Sequence, residues 1–364
     1  MAETRAYVAI GIEAARGTAE STTVGFIPVN SFSLPKPDFM ANKRQEFRGE
    51  DTAKGPVTER RMGQQWNGLS LEMPFYTESG SAKGLVGGII KHFFGTATTA
   101  QNAATGQYAH MAYAIPNPHG TGATLEAVAL TANMNAMHGD TIKNHPYTGG
   151  RVSKLSFKQE PAQSLLMTAE LMGQKLDAIA AGIASPVFAA ENLRADFNNM
   201  TVRAGATVTR TGSAPDYTNI TSNGTVVTPD SLSLELDFGK EDRMILNGTD
   251  TVGKTSVKEL TGKLSMTFDF EDPASGFSSV DEFTTWLAAQ SETNFLITWD
   301  TGTQAGTGLN HQLIIDLPVC NRLGGMPEIA RDGDPKITLE FDFHYSATTK
   351  YSAGVLLINT ASAV

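Results

Sequence analysis

Asp230–Gln290 reads DSLSLELDFGKEDRMILNGTDTVGKTSVKELTGKLSMTFDFEDPASGFSSVDEFTTWLAAQ. It contains an alternating apolar and polar strand, a polar arm rich in Gly and Thr, a second alternating strand and an amphipathic helix. Asn30–Gly95 has the same order of segments, namely NSFSL, FRGEDTAKGPVTERR, NGLSLEMPF and AKGLVGGIIKHFFG. Self-similarity of element types at this scale indicates an internal duplication, which organises the whole chain.

The period-2 alternation predicts half-buried antiparallel strands, with one face on a core and the other in water. We expect a mainly β protein with two tandem β-sandwich or partial-barrel domains, each with a flanking α-helix and a long arm loop. The predicted divisions are a first domain at 1–176 with an insertion at about 96–125, a linker with lead-in strands at 177–228, and a second domain at 229–364.

Local signals refine this prediction at three places. Ser279 and Glu282 form a Ser-x-x-Glu capping box ahead of an apolar helical stripe, which predicts a helix start. The Asp-Gly of DGDP at 332–335 lies between two strand-like runs, as in a β-hairpin. The apolar run 354–359 is predicted to be a sandwich edge or a strand that faces a partner.

Charge and cysteine content exclude several classes of protein. The chain has 28 Lys and Arg against 38 Asp and Glu, a formal net charge of −10, which argues against a surface that grips nucleic-acid phosphates. Cys320 is the single cysteine, so an intramolecular disulfide and a Cys-based zinc site are excluded. The apolar run near the N-terminus is too short for a signal peptide, and we expect no membrane span.

The sequence offers no pattern that favours catalysis. The best histidine cluster is His138 with Asp140 and His145, and a solvated turn explains it better than a metal site does. Gly-x-Ser-x-Gly and His-Glu-x-x-His strings do not occur. We therefore expect no enzyme activity, no cofactor and no metal.

Two groups of charged residues remain as candidate functional surfaces. The acidic positions of the polar strand faces are either an ordinary solvated sheet face or a surface that repels a polyanion; they are Glu72, Glu235, Asp237, Asp269, Glu340 and Asp342. The charged positions of the two arms, 38–65 and 239–262, are candidates for contacts between subunits. They are Lys43, Arg44, Glu50, Asp51, Arg60, Arg61, Lys240, Asp250, Lys254 and Lys258.

These features together resemble the phage tail tube proteins of long-tailed bacteriophages, in the larger type with a duplicated tube domain. The resemblance rests on IGIEAARGT at 10–18, on the unit of strand, arm, strand and helix, and on the closing region from HQLIIDLPVCNRL through DGDPKITLEFDFHY to VLLIN. It spans most of the chain, and is weakest over 96–150 and 177–228.

The resemblance implies a structural virion protein, made in the host cytoplasm, that assembles into stacked rings around a tape-measure protein. Three chains would supply six tube domains per ring, the arms would reach the neighbouring subunit or the next ring, and the acidic faces would line the lumen through which the genome passes without specific binding. Tail-tip or baseplate proteins and a tail terminator would be further partners. The alternative is a β-sandwich binding module, such as an adhesin or carbohydrate-binding protein, which requires aromatic residues exposed on one sheet face.

Overall fold

The computed structural model describes residues 6–32, 34–44, 58–80, 83–101, 106–114, 129–205, 207–244, 251–289, 292–306, 308–329 and 333–364. The strands of the first repeat are β1 Ala6–Ile12, β2 Val24–Ile27, β3 Asp38–Arg44, β4 Thr58–Pro74, β5 Ala97–Gln101, β6 Tyr108–Tyr113, β7 Leu130–His138, β8 Thr141–Gln159, β9 Leu166–Gly173, β10 Lys175–Leu176 and β11 Ala180–Ala181.

The strands of the second repeat are β12 Met200–Ala204, β13 Val208–Ser213, β14 Asp216–Ser222, β15 Thr225–Val227, β16 Ser231–Asp237, β17 Glu241–Arg243, β18 Lys254–Ser256, β19 Thr261–Asp269, β20 Glu292–Gln304, β21 Asn310–Gly324, β22 Lys336–Phe343 and β23 Gly354–Asn359. Among the described residues each repeat has one α-helix, α1 Leu85–Phe94 and α2 Ser279–Ala288, and two short 3-10 helices lie at Glu191–Leu193 and Phe197–Asn199. The prediction of a mainly β fold is confirmed.

The two repeats share one strand topology. In the first, neighbouring strands run in the order β2, β1, β7, β8, β9, β4. In the second the order is β15, β12, β20, β21, β22, β19, again antiparallel throughout. The helix follows the corresponding strand in both, since α1 comes after β4 and α2 after β19.

The repeats also agree in register, residue by residue. The pairs between β8 and β9 recur 170 positions later between β21, with its continuation, and β22. Lys154–Glu170 corresponds to Gly324–Glu340, and Lys158–Leu166 corresponds to Glu328–Lys336. A β-bulge interrupts β7–β8 between Leu130 and Ala132, and another interrupts β20–β21 at the matching place. Because a bulge adds an unpaired residue and bends the strand, matching bulges mark the same bend in each repeat.

A continuous antiparallel sheet joins the repeats. β16 pairs with β19 of its own repeat on one edge and with β8 of the first repeat on the other. The sheet therefore runs β4, β9, β8, β16, β19, β22, β21. We call it the joint sheet. The division of the chain into domains at 176 and 228 stays a prediction.

A second crossing connects the predicted insertion to the far end of the chain. The described part of 96–125 contains the hairpin β5–β6, and β6 pairs with β23, which pairs in turn with β21. Every residue of β23 is buried. The prediction that 354–359 is a sheet edge or faces a partner is therefore wrong: β23 has a strand of the same chain on each side.

The hydrophobic core extends through both repeats and includes two buried tryptophans. Trp66 and Trp299 are almost fully buried. A buried indole N–H needs an acceptor, and Trp66 Nε1 donates to the carbonyl oxygen of Thr148 at 3.0 Å. Trp299 Nε1 donates to Gln159 Oε1 at 3.1 Å, which links the core of the second repeat to β8 of the first.

The two helices differ in burial and in capping. Nearly all of α1 is buried, whereas in α2 only Ser279 is, and Leu287 is 62% exposed. The predicted helix start is one residue late, because Ser278 is the N-cap and its Oγ accepts the N–H of Asp281 at 3.0 Å. The Ser279 hydroxyl instead donates to the Asp269 carbonyl oxygen at 2.8 Å, which ties the helix start to β19.

Candidate assembly surfaces

The joint sheet has one face on the core and one polar face, and the cross-strand pairs align the polar side chains in rows. One row follows the pairs from strand to strand and contains Glu72, Thr168, Ser156, Glu235, Lys263 and Asp342. A neighbouring row contains Ser70, Glu170, Lys154, Asp237 and Thr261. Directly opposed side chains in an antiparallel pair share a face. The predicted acidic residues on β4, β16 and β22 are thus brought together on one surface.

Lysines interrupt the carboxylates of this polar face. Lys154 Nζ lies 3.4 Å from Asp237 Oδ2, and Lys263 Nζ lies 2.5 Å from Glu340 Oε1. Asp269, on the same strand as Lys263, lies 3.6 Å from Lys336 Nζ. These pairs are exposed and contribute little to stability. The face therefore carries charges of both signs with an excess of carboxylates. Its lysines were not among the residues predicted for this surface.

The first arm is a hairpin and not a loop at its base. β3 pairs with β4 from Asp38–Gln65 to Arg44–Thr58. Lys43, Arg44, Arg60 and Arg61 lie on this hairpin, for which the structure describes the backbone only at these positions. Glu50 and Asp51 lie outside the described residues.

The second arm is also a hairpin, and it packs on the first repeat of its own chain. β17 pairs with β18, where Lys254 lies opposite Arg243. Thr251 bridges to Gln64 of β4, and Arg16 Nη2 lies 3.2 Å from Asp242 Oδ1. At the exposed surface of this arm, Lys258 Nζ lies 2.6 Å from Glu241 Oε1. Asp250 lies outside the described residues.

Lys240 is one of the arm positions predicted to contact another subunit, but its side chain is buried within its own chain. The residue is 5% exposed, and its Nζ donates to the backbone carbonyl oxygens of His92 at 3.1 Å, Phe93 at 2.7 Å and Val152 at 2.8 Å. The first two belong to the last turn of α1, where helix carbonyls lack intrahelical partners. A lysine of the second repeat thus caps the helix of the first, and its ammonium group is not available to a neighbouring subunit.

Burial changes the chemistry of this lysine. Removal of the ammonium group from water, with a smaller contribution from the positive charge of Arg151, lowers the pKa of Lys240 to about 7. The same Nζ lies 5.3 Å from the ring centre of Phe93 and 5.2 Å from that of Phe238. Both rings present their faces to the cation and offset part of the lost hydration.

A buried ion pair that the sequence analysis had not considered holds the hairpin β13–β14. Arg210 donates to both oxygens of Asp316, Nε to Oδ2 at 2.7 Å and Nη2 to Oδ1 at 2.9 Å. The Tyr351 hydroxyl donates to the same carboxylate at 2.5 Å. Asp316 interrupts the apolar run LIIDLPV, and an acidic residue in such a run was the available signal of a buried partner.

The histidine cluster forms a pair and not a triad. His138 Nε2 lies 2.9 Å from His145 Nε2, so the two rings share one hydrogen bond, and Asp140 is exposed in the adjoining turn. Burial and the neighbouring His138 ring lower the pKa of His145.

Within the described ranges, no group of three or more His, Cys, Asp or Glu is arranged to hold a metal ion. No helix in this part of the chain has the length and apolarity to cross a membrane.

Comparison with known proteins agrees with this architecture. No curated protein matches the chain. The family model described as phage tail tube protein matches residues 3–344, which is nearly the whole chain and includes both repeats, both helices and the joint sheet. The chain belongs to the phage tail tube protein family and is a structural component of the virion tail.

Proposed function

We propose that three copies of this chain close into a ring of six tube domains and that such rings stack into the tail tube. The observation that carries the proposal is the joint between β8 and β16. Two repeats with one topology are already joined edge to edge in a single sheet, so each chain resembles two neighbouring subunits of a ring. Further joints of the same kind extend the sheet until it closes and leaves no free edge.

The size of the joint sheet supports a hollow assembly. Barrels above about 16 strands leave an aqueous channel, and three joint sheets exceed that number. The polar face of the sheet would line this channel. Its excess of carboxylates repels the phosphates of DNA, so the genome passes along the wall without binding to it. The interspersed lysines hold the carboxylates in exposed ion pairs and keep the wall from being uniformly negative.

The partners follow from this role. A tape-measure protein would occupy the lumen during assembly in the host cytoplasm, and tail-tip or baseplate proteins and a terminator would bind the two ends of the tube. The protein has no catalytic part in this scheme. The two arms, 38–65 and 239–262, would contact the neighbouring subunit or the next ring, where mixed charges fix register between surfaces.

Electron microscopy of the purified chain at increasing concentration tests the proposal. The expected result is rings with pseudo-sixfold symmetry that have the mass of three chains, and tubes at higher concentration. Particles that stay monomeric at every salt and protein concentration would refute it. To test the lumen, Glu235→Lys with Asp237→Lys should yield tubes that retain added DNA, which wild-type tubes release.

A further inference from the structure

The joint sheet ends in two edges for which the described residues provide no partner strand. At one end, residues 324–329 continue β21 and bridge to β22 through Glu328 and Lys336. At the other end, residues 30–32 border β4 through the bridge between Ser31 and Glu72. Neither segment has a second neighbour within the described ranges of the chain.

Both edge segments have counterparts inside the chain, at the joint between the repeats. The register match of 170 positions equates 324–329 with 154–159 of β8. The edge segment beside β4 matches the start of β16 equally closely. The Asn30 N–H donates to the Glu72 carbonyl oxygen of β4 at 2.9 Å, and the Asp230 N–H donates to the Thr267 carbonyl oxygen of β19 at 2.8 Å. This equates the segment beginning at Asn30 with β16.

The counterparts are buried where the edge segments are exposed. In the joint between the repeats, Leu234 lies opposite Phe157, and both are 0% exposed. The residue that corresponds to Leu234 is Leu34, which is 42% exposed. Ile329 corresponds to Gln159 and is 82% exposed, against 2% for Gln159. Apolar side chains in positions that are otherwise core positions indicate a surface that another copy covers.

The backbone of the edge strand is oriented for the same pairing. Glu328 and Lys336 exchange both backbone hydrogen bonds, at 2.7 and 3.0 Å. Successive residues of a strand direct these groups to opposite edges. The neighbours of Glu328 therefore point away from β22, and Ile329 offers a donor and an acceptor while Pro327 offers its carbonyl oxygen. On the facing side, the Tyr147 hydroxyl donates to the Pro35 carbonyl oxygen at 2.8 Å and holds that segment in place.

We propose that residues 30–32 and Leu34 of one copy pair antiparallel with residues 324–329 of the next copy, in the register of β16 on β8. The pairs Leu232–Gln159 and Leu234–Phe157 then predict Phe32 opposite Ile329 and Leu34 opposite Pro327. We call this pairing the seam. It rests on the proposed ring and specifies the contact between neighbouring chains in that ring. Because the two edges differ, the contact is head-to-tail, which closes into a ring or continues as a helix and cannot form an isolated twofold dimer.

Cysteine cross-linking of the assembled full-length chain tests the seam. Opposed residues of an antiparallel pair have Cα atoms about 4.5–5.5 Å apart, within the span of a disulfide. Phe32→Cys with Ile329→Cys should therefore give a ladder of covalent oligomers under oxidation, seen on non-reducing gels. The matched control, Phe32→Cys with Met326→Cys, displaces one thiol by three residues, about 10 Å along the strand, and should give no ladder. The native Cys320 is buried, so its thiol does not compete.

The outcomes separate the seam from the ring. Rings in the microscope with no ladder, or with a ladder only in the control pair, would refute the seam and leave the ring intact. Failure to form rings before any substitution would refute both. As a second measurement, Ile329→Asp should keep the melting temperature of the subunit, since the side chain is exposed, but lose ring formation, which Ile329→Val should retain. An Ile329→Asp variant that assembles normally would also overturn the seam.

Discussion

Replacing Lys240 with methionine tests whether the second repeat stabilises the helix of the first. Methionine keeps the length and apolar character of the stem but removes the ammonium donor. Three buried carbonyl oxygens, those of His92, Phe93 and Val152, lose their hydrogen bond from Lys240. The buried end of α1 would then lose the ammonium group that accounts for two of these hydrogen bonds.

The loss of folding free energy in Lys240→Met follows from two opposing contributions. Hydrogen bonds to a charged donor contribute about 1.5–3 kcal/mol each, while desolvation of the ammonium group costs several kcal/mol and is recovered in the variant. We expect Lys240→Met to lower the free energy of unfolding by about 3 kcal/mol, which combines these two ranges. The matched control is Lys258→Met on the exposed arm, which should cause little change because its ion pair with Glu241 is solvated.

The pH dependence gives an independent readout. The pKa of Lys240 is about 7 in the folded chain and near 10.5 when it is exposed. Between these values the unfolded chain binds the proton and the folded chain does not, so the free energy of unfolding rises with pH. The advantage of the wild type over Lys240→Met should grow by about 1.4 kcal/mol per pH unit from pH 7 towards 10.5, and stay constant below pH 7.

Urea denaturation of both variants across pH 6 to about 10 measures both effects, with the protein kept below the concentration at which it assembles. A Lys240→Met variant as stable as Lys258→Met would show that water reaches the helix end. A pH-independent difference between wild type and variant would show that Lys240 stays protonated in the fold.

Three further outcomes follow from buried groups. Asp316→Asn leaves the charge of Arg210 without its carboxylate and should cost about 3–5 kcal/mol in urea denaturation; a loss below about 1 kcal/mol would mean that solvent replaces the carboxylate. The pKa of His145 is lowered in the fold, so the free energy of unfolding should fall as the pH drops below the ordinary histidine pKa of about 6.5. His145→Gln should weaken this pH dependence in thermal melts from about pH 7.5 to about 5. An unchanged pH dependence would contradict the assignment to His145. Gly262→Ala places a Cβ 2.4 Å from a backbone oxygen of β16 and should lower the melting temperature through overpacking of about 1–3 kcal/mol. An unaffected melt would show that β16 and β19 can separate at no cost.

The faces of the strands were predictable because their signal is local. In β16, β19 and β22, buried residues alternate with partly or fully exposed ones, as the period-2 pattern indicates. A side chain in a strand faces the core or the solvent according to its position alone, so no knowledge of the neighbouring strand is needed. The mainly β class and the repeated order of elements depend on this pattern.

Partners distant in sequence were not predictable. The apolar composition of β23 indicates burial equally well in a core strand and in an interface, and only its pairing with β6 distinguishes them. Lys240 reads as one more charge in a polar arm, because its acceptors are backbone carbonyls that leave no trace in the sequence. The helix start was displaced by one residue because two adjacent serines both satisfy the capping pattern, and hydrogen bonding to β19 occupies the second.

The joint between β8 and β16 has a kinetic consequence. Its two strands belong to one chain, so they meet without a bimolecular encounter, at the effective concentration that a covalent connection provides. In the proposed ring of three chains, every second joint between tube domains would form during folding, before any subunit encounters another. Ring closure requires three bimolecular contacts where a single-domain subunit requires six, and the concentration at which rings first appear should be correspondingly low. A chain cut between the repeats would lose this advantage while keeping every contact that the intact chain makes.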